Sequence, residues 1–129
     1  MLAWWAFLDE SQELLALETV FEIEHIYAKS RQDKEKSLTN TKNLEALGNK
    51  AMLEKRINIR ASDYRFEDKK KYYNGYINSR KQEKKGTKIN ELLSLANTKD
   101  DFIEADIIKR TNDMIERFMQ YIADNGLAQ

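Results

Sequence analysis

The sequence predicts a mainly α-helical domain carrying one small two-stranded β-hairpin. Three observations lead there. Proline is absent and only 4 glycines occur in 129 residues, which favours long helices over a turn-rich β-fold. A run of residues that favour strands, Val20 to Tyr27, alternates Phe21 and Ile23 with glutamates before Ile26. From Asp63 onward the apolar positions recur at helical spacing. The length is that of a single domain with its own core. A hydrophobic content of 41% is adequate for that core, and 34% charged residues leave a very polar surface.

In chain order, residues 2–17 read as a helix interrupted around Asp9–Ser11, with Leu2, Trp5, Leu8, Leu14, Leu15 and Leu17 apolar. The adjacent Trp4 and Trp5 need an apolar partner, either this domain's core or a preceding domain. Residues 20–28 form the first strand, and Lys29 to Asn43 is polar, a loop with room for a short helix. Gly48-Asn49 signals a turn, residues 49–54 supply the second strand, and a helix opens at Lys55. Phe66, Lys70, Tyr73 and Ile77 lie about four residues apart on the next helix, and Arg80 to Lys88 reads as a basic linker. Ile89, Leu92, Leu93 and Ala96 mark a short helix. The last helix spans Asp101 to Asp124, with Thr98 and Asp101 as a cap variant, a stripe of Ile103, Ile107, Ile115, Phe118, Met119 and Ile122, and Asn125-Gly126 as the stop. This divides one domain, 1–129, into an N-terminal helical segment (1–18), a strand–strand–helix segment with an inserted loop (19–62) and a helical part (63–129).

The absence of cysteine excludes disulfides, zinc ribbons and thiol nucleophiles, and fits a reducing cytoplasm. No apolar run is long enough to cross a membrane, and the apolar N-terminus lacks the basic region of a signal peptide. Zero net charge conceals a sorting by sign. Residues 29–88 hold 18 Lys/Arg against 8 Asp/Glu, while the flanks hold 4 against 14. That distribution suits a phosphate-binding face backed by acidic helices; a solvated surface sorted by sign is the plainer alternative.

The only histidine, His25, follows Glu24 inside Phe21-Glu22-Ile23-Glu24-His25-Ile26. Asn49 follows in Leu47-Gly48-Asn49, and Asn58 comes nine positions later in Asn58-Ile59-Arg60-Ala61-Ser62. Phe66-x-x-Lys69-Lys70-x-Tyr72-Tyr73 and Ile107-x-x-Arg110 complete an ordered set of blocks from about Thr19 to Ile122. In this order the chain resembles the HNH (His-Me finger) nucleases, and more narrowly the HNH-like C-terminal domain of GmrSD-type restriction proteins. Two features depart from the usual pattern: no proline follows the histidine, and the His25–Asn49 spacing requires an insertion over roughly Asp33–Leu44.

The resemblance implies a ββα-metal (HNH) core packed among helices, and hydrolysis of DNA phosphodiesters. His25 is then the general base, Asn49 the brace that orients it, and Glu24 and Asn58 the metal ligands. Glu22 rivals Glu24 as the ligand, though a lysine partner suits it better. An oxygen-only donor set suits Mg²⁺ or Mn²⁺. Glu24, His25 and Asn58 are expected to converge on one ion, although adjacent strand residues point to opposite faces unless the chain bends there. Arg56, Arg60, Arg65, Lys69, Lys70 and Lys71 are the candidate phosphate contacts. Tyr72 and Tyr76 are candidates for base stacking, Tyr73 suits packing, and Arg110 suits an anchoring salt bridge. With no P-loop in the sequence, target selection is expected from a separate N-terminal or partner domain, this chain being a module cut from a larger protein or acting beside one. The rival reading is a catalytically silent helical domain that binds nucleic acid or protein through its basic face; an RNA-binding module has only the basic and tyrosine content in its favour.

Overall fold

The structure is a computed structural model that describes residues 1–15 and 18–126. Its elements are α1 (Leu2–Ala6), β1 (Phe21–His25), α2 (Lys29–Glu35), β2 (Lys50–Glu54), α3 (Lys55–Ala61), α4 (Phe66–Asn74), β3 (Gly75–Ile77), β4 (Glu83–Lys85), α5 (Asn90–Thr98) and α6 (Glu104–Asp124). Short 3-10 turns at Thr41–Glu45 and Leu47–Asn49 lead into β2. The fold is mostly helical with two small antiparallel two-stranded sheets, β1–β2 and β3–β4. Among the described residues no helix is long and apolar enough to cross a membrane.

β1 and β2 pair with Phe21 opposite Glu54, Ile23 opposite Met52 and His25 opposite Lys50. Directly paired residues share a face. Glu22, Glu24, Ala51 and Leu53 therefore face inward, and His25 and Lys50 face outward. Helix α3 follows β2 without a loop and packs on both strands. Its Ile57 and Ala61, four residues apart, enter the core beside Leu53, Phe66, Tyr73, Leu92, Phe102 and Ile107.

Several expectations are corrected. The N-terminal helix stops at Ala6, and Ser11 to Leu15 are not helical; Ala16 and Leu17 lie outside the described residues. β1 ends at His25, and Ile26, Tyr27 and Ala28 continue as buried, non-strand chain. Helix α4 stops before Gly75, whose φ of +88° a side chain adopts only under strain, so Ile77 lies in β3 instead of on a helix. The supposed basic linker supplies β4, whose short charged sequence carries no apolar alternation to announce it. Helix α6 begins at Glu104, and Asp106 accepts the Ile103 N–H, so Thr98 and Asp101 do not cap it. Its buried seam is Ile107, Arg110 and Met114, while Ile103, Ile115 and Met119 are exposed. Trp4 packs edge-on against Phe118 and Tyr121, which gives one N-terminal tryptophan its apolar partner within the domain.

Two contacts fix the inserted loop against α6. Glu104 accepts four hydrogen bonds from it: Thr39 N–H and hydroxyl, Asn40 N–H and the Asn43 amide. The Thr39 hydroxyl first, then the Asn40 N–H, lower the Glu104 pKa to about 2. At Gly48 the chain presses directly on α6: a Cβ there would sit 2.2 Å from the Ile107 carbonyl oxygen and 2.3 Å from Thr111 Oγ1.

Gly48→Ala must push the turn off α6 and is expected to lower unfolding free energy by about 1–3 kcal/mol or more, measured by denaturant titration. Because the Glu104 carboxyl is depressed in the folded state, its contribution is present above the ordinary glutamate pKa. It is lost as pH falls toward about 2. Amide exchange at Thr39 and Asn40 should accelerate in that window while the amides of α6 remain protected.

Candidate active site around His25

The outward end of the hairpin assembles the only imidazole with a carboxylate and an ammonium. His25 Nε2 lies 3.0 Å from Glu45 Oε1 and 3.2 Å from Oε2. An ionised carboxylate can only accept, so Nε2 is the donor in this pair, and in the neutral imidazole the lone pair lies on Nδ1. Nδ1 has no hydrogen-bond partner among the described residues, and the side chain is 29% exposed. Lys50, directly across the ladder from His25, places its ammonium 3.2 Å from Glu45 Oε2. The His25 hydrogen bond first, then that of Lys50, hold the Glu45 carboxyl below its ordinary pKa.

Glu45 and Lys50 were not singled out from sequence. A signal existed: Glu45 is the only acidic residue between positions 36 and 53 of the basic segment. It lies just past the insertion over roughly Asp33–Leu44, and nothing in the sequence ties it to His25, 20 residues away.

Asn49 is fully buried behind this end. Its Oδ1 accepts the Tyr27 N–H at 2.7 Å, and its Nδ2 donates to Tyr27 O at 3.0 Å and Leu44 O at 2.9 Å. Its carbonyl accepts the Ile26 N–H. Asn49 thus joins the chain following His25 to the chain bearing Glu45 and Lys50. Arg110 secures the same turn from α6, donating to Gly48 O and Lys50 O while making two bonds to Glu91. That is the anchoring salt bridge expected of it.

Glu24 points the other way. It is 3% exposed, with one oxygen 3.1 Å from Lys69 Nζ and the other accepting the Tyr73 hydroxyl at 2.7 Å. Burial raises its pKa, opposed by the Lys69 charge and the two hydrogen bonds. Burial and the neighbouring Glu24 charge raise the Tyr73 pKa well above its ordinary value, so the phenol remains a donor. Lys69, 1% exposed, also donates to His25 O at 2.6 Å. Asn58 is half-buried on α3, and its amide donates to Glu22 at 2.8 Å, so Glu22 has Asn58, not a lysine, as its partner.

The structure therefore does not bring Glu24, His25 and Asn58 together. The strand alternation persists through His25, placing the imidazole on one face and both glutamates on the other. A divalent ion does not fit Glu24 here: both oxygens are engaged, and an ammonium already sits against one of them. Among the described residues no group of three or more His, Asp or Glu is arranged to hold a metal.

The candidate phosphate contacts divide similarly. Arg65 is held by Glu35 and Glu67, and Lys69 by Glu24. Lys70 lies over the Phe66 ring, and Lys71 lies over Tyr72 and Tyr76. Arg60 is half-buried, and Arg56 is exposed with one donor on Lys85 O. Tyr73 is fully buried, while Tyr72 and Tyr76 remain partly exposed.

A short antiparallel pair thus runs straight into a helix, with one imidazole oriented at its open end. A family model described as the C-terminal domain of GmrSD restriction endonucleases matches residues 5–117. The chain belongs to that family, and is a nuclease-type restriction module. No curated protein and no solved structure matches the chain at a significant level.

Glu24→Ala, which strands the Lys69 ammonium in the core, is expected to cost about 3–5 kcal/mol of stability. Tyr73→Phe, which removes one hydrogen bond to a charged acceptor, should cost about 1.5–3 kcal/mol. Denaturant titration without added metal checks both. Wild-type stability in Glu24→Ala would mean that the buried pair does not form.

Proposed function

We propose that the domain is a DNA endonuclease in which His25 is the general base. The observation behind this reading is the imidazole held at Nε2 by Glu45, with its Nδ1 lone pair unengaged and Lys50 opposite it. Nδ1 takes a proton from water as the oxygen attacks phosphorus; the bond from phosphorus to the 3′-oxygen breaks, and that oxygen leaves with the bonding pair and takes a proton from solvent. Glu45 orients the ring and stabilises the imidazolium that forms; Lys50 offers positive charge to the phosphate. Asn49 and Arg110 hold the turn that sets these groups against one another. A divalent ion such as Mg²⁺ or Mn²⁺ supplies charge neutralisation at the phosphate in reactions of this kind. Glu24 is left out of its ligands here, because its oxygens serve Lys69 and Tyr73. The family description is that of a C-terminal domain, and in this proposal target selection belongs to another domain or partner. The remaining candidate cations, Arg56, Arg60, Lys70 and Lys71, are assigned to the DNA backbone.

A specific observation favours the rival: Glu24 engaged as a structural ion pair suits a silent domain that binds nucleic acid or protein through the basic segment. Nicking of supercoiled plasmid in Mg²⁺, in Mn²⁺ and in EDTA separates the two.

His25→Ala should keep the fold and DNA affinity and lower cleavage by about 10²–10⁴-fold, the usual contribution of a positioned base. In Glu45→Gln the imidazolium formed in the reaction loses its counter-charge, so the cleavage rate should fall. Glu45→Asp should restore part of the rate. DNA affinity, read by anisotropy, should fall steeply with salt as phosphate counterions are released, and Lys70→Gln with Lys71→Gln should flatten that slope. Equal nicking by wild type and His25→Ala rejects the assigned base. Salt-dependent binding without nicking in either metal selects the silent module.

A further inference from the structure

At the other end of the β1–β2 pair lies a cleft of about 430 Å³, within the range of small-ligand sites (roughly 300–1,000 Å³). Its rim carries three cations, Lys55, Arg56 and Lys88, all exposed. Neither lysine has an ion-pair partner among the described residues, and Arg56 spends one donor on the Lys85 carbonyl oxygen, a neutral acceptor. The one carboxylate in the lining, Glu54, does not offset them outwardly. It is buried, with one oxygen accepting the Thr87 hydroxyl and the other the Lys88 N–H at 2.9 Å. Arg31, Arg65, Lys69 and Arg110 each hold a carboxylate, whereas these three cations hold none among the described residues and face one cleft together.

Beside these cations the cleft exposes apolar surface that folding does not require. Val20 is 61% exposed and Ile59 63%, and both line the same cavity. A purely anionic ligand has no use for that wall, and a purely apolar one gains nothing from three cations. Charge and apolar wall together call for a ligand with a phosphate at one end and a flat, weakly polar ring at the other.

We propose that this cleft binds one nucleoside monophosphate unit, its phosphate among Lys55, Arg56 and Lys88 and its base on Val20 and Ile59. The choice of a nucleotide over other amphiphilic anions rests on the DNA-directed reading above. The site is distinct from the catalytic end. His25 pairs with Lys50 at one end of the strands, while Lys55 N–H bonds Val20 O at the other. Five strand residues separate the two ends by about 17 Å. The cleft thus holds a nucleotide well away from the scissile bond, or a free one, and the two sources share the same chemistry.

The test is two-dimensional amide NMR on the full chain, titrated with a deoxynucleoside 5′-monophosphate, the matching deoxynucleoside, inorganic phosphate and a short single-stranded oligonucleotide. The mononucleotide should shift Val20, Lys55, Arg56, Ile59 and Lys88, and bind at least tenfold more tightly than nucleoside or phosphate alone. Lys88→Gln and Ile59→Ser, both at exposed positions, should each weaken it several-fold with an unchanged melting temperature. An oligonucleotide that binds over tenfold more tightly than the mononucleotide supports a unit within a strand; equal affinity supports a free nucleotide. Phosphate binding as well as the mononucleotide, shifts confined to other residues, or tighter binding of an acidic apolar peptide each overturns the proposal. Nucleotide binding without plasmid nicking defeats the endonuclease reading and leaves the cleft standing. Nicking with a silent cleft does the opposite.

Discussion

The buried amide of Asn49 is the constraint on which the His25 end of the molecule depends. With no exposure to water, its donor and acceptor must be satisfied by protein, and they are met by Tyr27 on one side and Leu44 on the other. An unpaired buried amide costs about 1–3 kcal/mol, so the two chain segments cannot separate cheaply. Everything placed around His25 follows from that closure. The segment from Thr41 to Glu45 is drawn back to the hairpin, which brings a carboxylate to the imidazole from 20 residues away. The closure is itself backed by α6, because Gly48 has no side chain to hold the helix off and Arg110 takes up the carbonyl oxygens of the turn.

On the inner face a second economy operates. A buried lysine and a buried glutamate are tolerable only together, and Tyr73 and the His25 carbonyl oxygen satisfy what the pair leaves over. Lys69 therefore touches both residues of the acid–histidine pair in different ways, one through its carboxylate and the other through its backbone. The histidine's main chain is held from inside the core while its ring is held from the surface. The ring thus keeps its orientation while part of it stays exposed to solvent.

The two ends of the hairpin differ in chemistry. One presents an imidazole and an ammonium organised around a single carboxylate. The other presents three cations and an uncovered aliphatic wall, its only carboxylate turned inward. The local positive charge of residues 29–88 is thus not spread evenly. Part of it is spent internally, on Glu24, Glu35, Glu67 and Asp101, and the part left exposed includes this cleft.

Much of the fold could be read along the chain. Strand propensity in residues 21–25, the Gly48-Asn49 turn, and the helix opening at Lys55 are local signals, and the structure has β1, β2 and α3 there. The long C-terminal helix likewise follows from its own periodicity. The β3–β4 pair was not legible: each strand is three residues long, Gly75 ends α4, and the reversal between the strands runs through Asn78 to Gln82 with Lys81 at positive φ. Residue types and order determined the family, the single imidazole and the sign of the charged segment. Tertiary structure decided which carboxylate serves which partner. Glu24 adjoins His25 in sequence, yet strand alternation sends it inward to Lys69, while distant Glu45 arrives through the Asn49 closure. Proximity along a strand fixes opposite faces; only packing brings side chains to the same one.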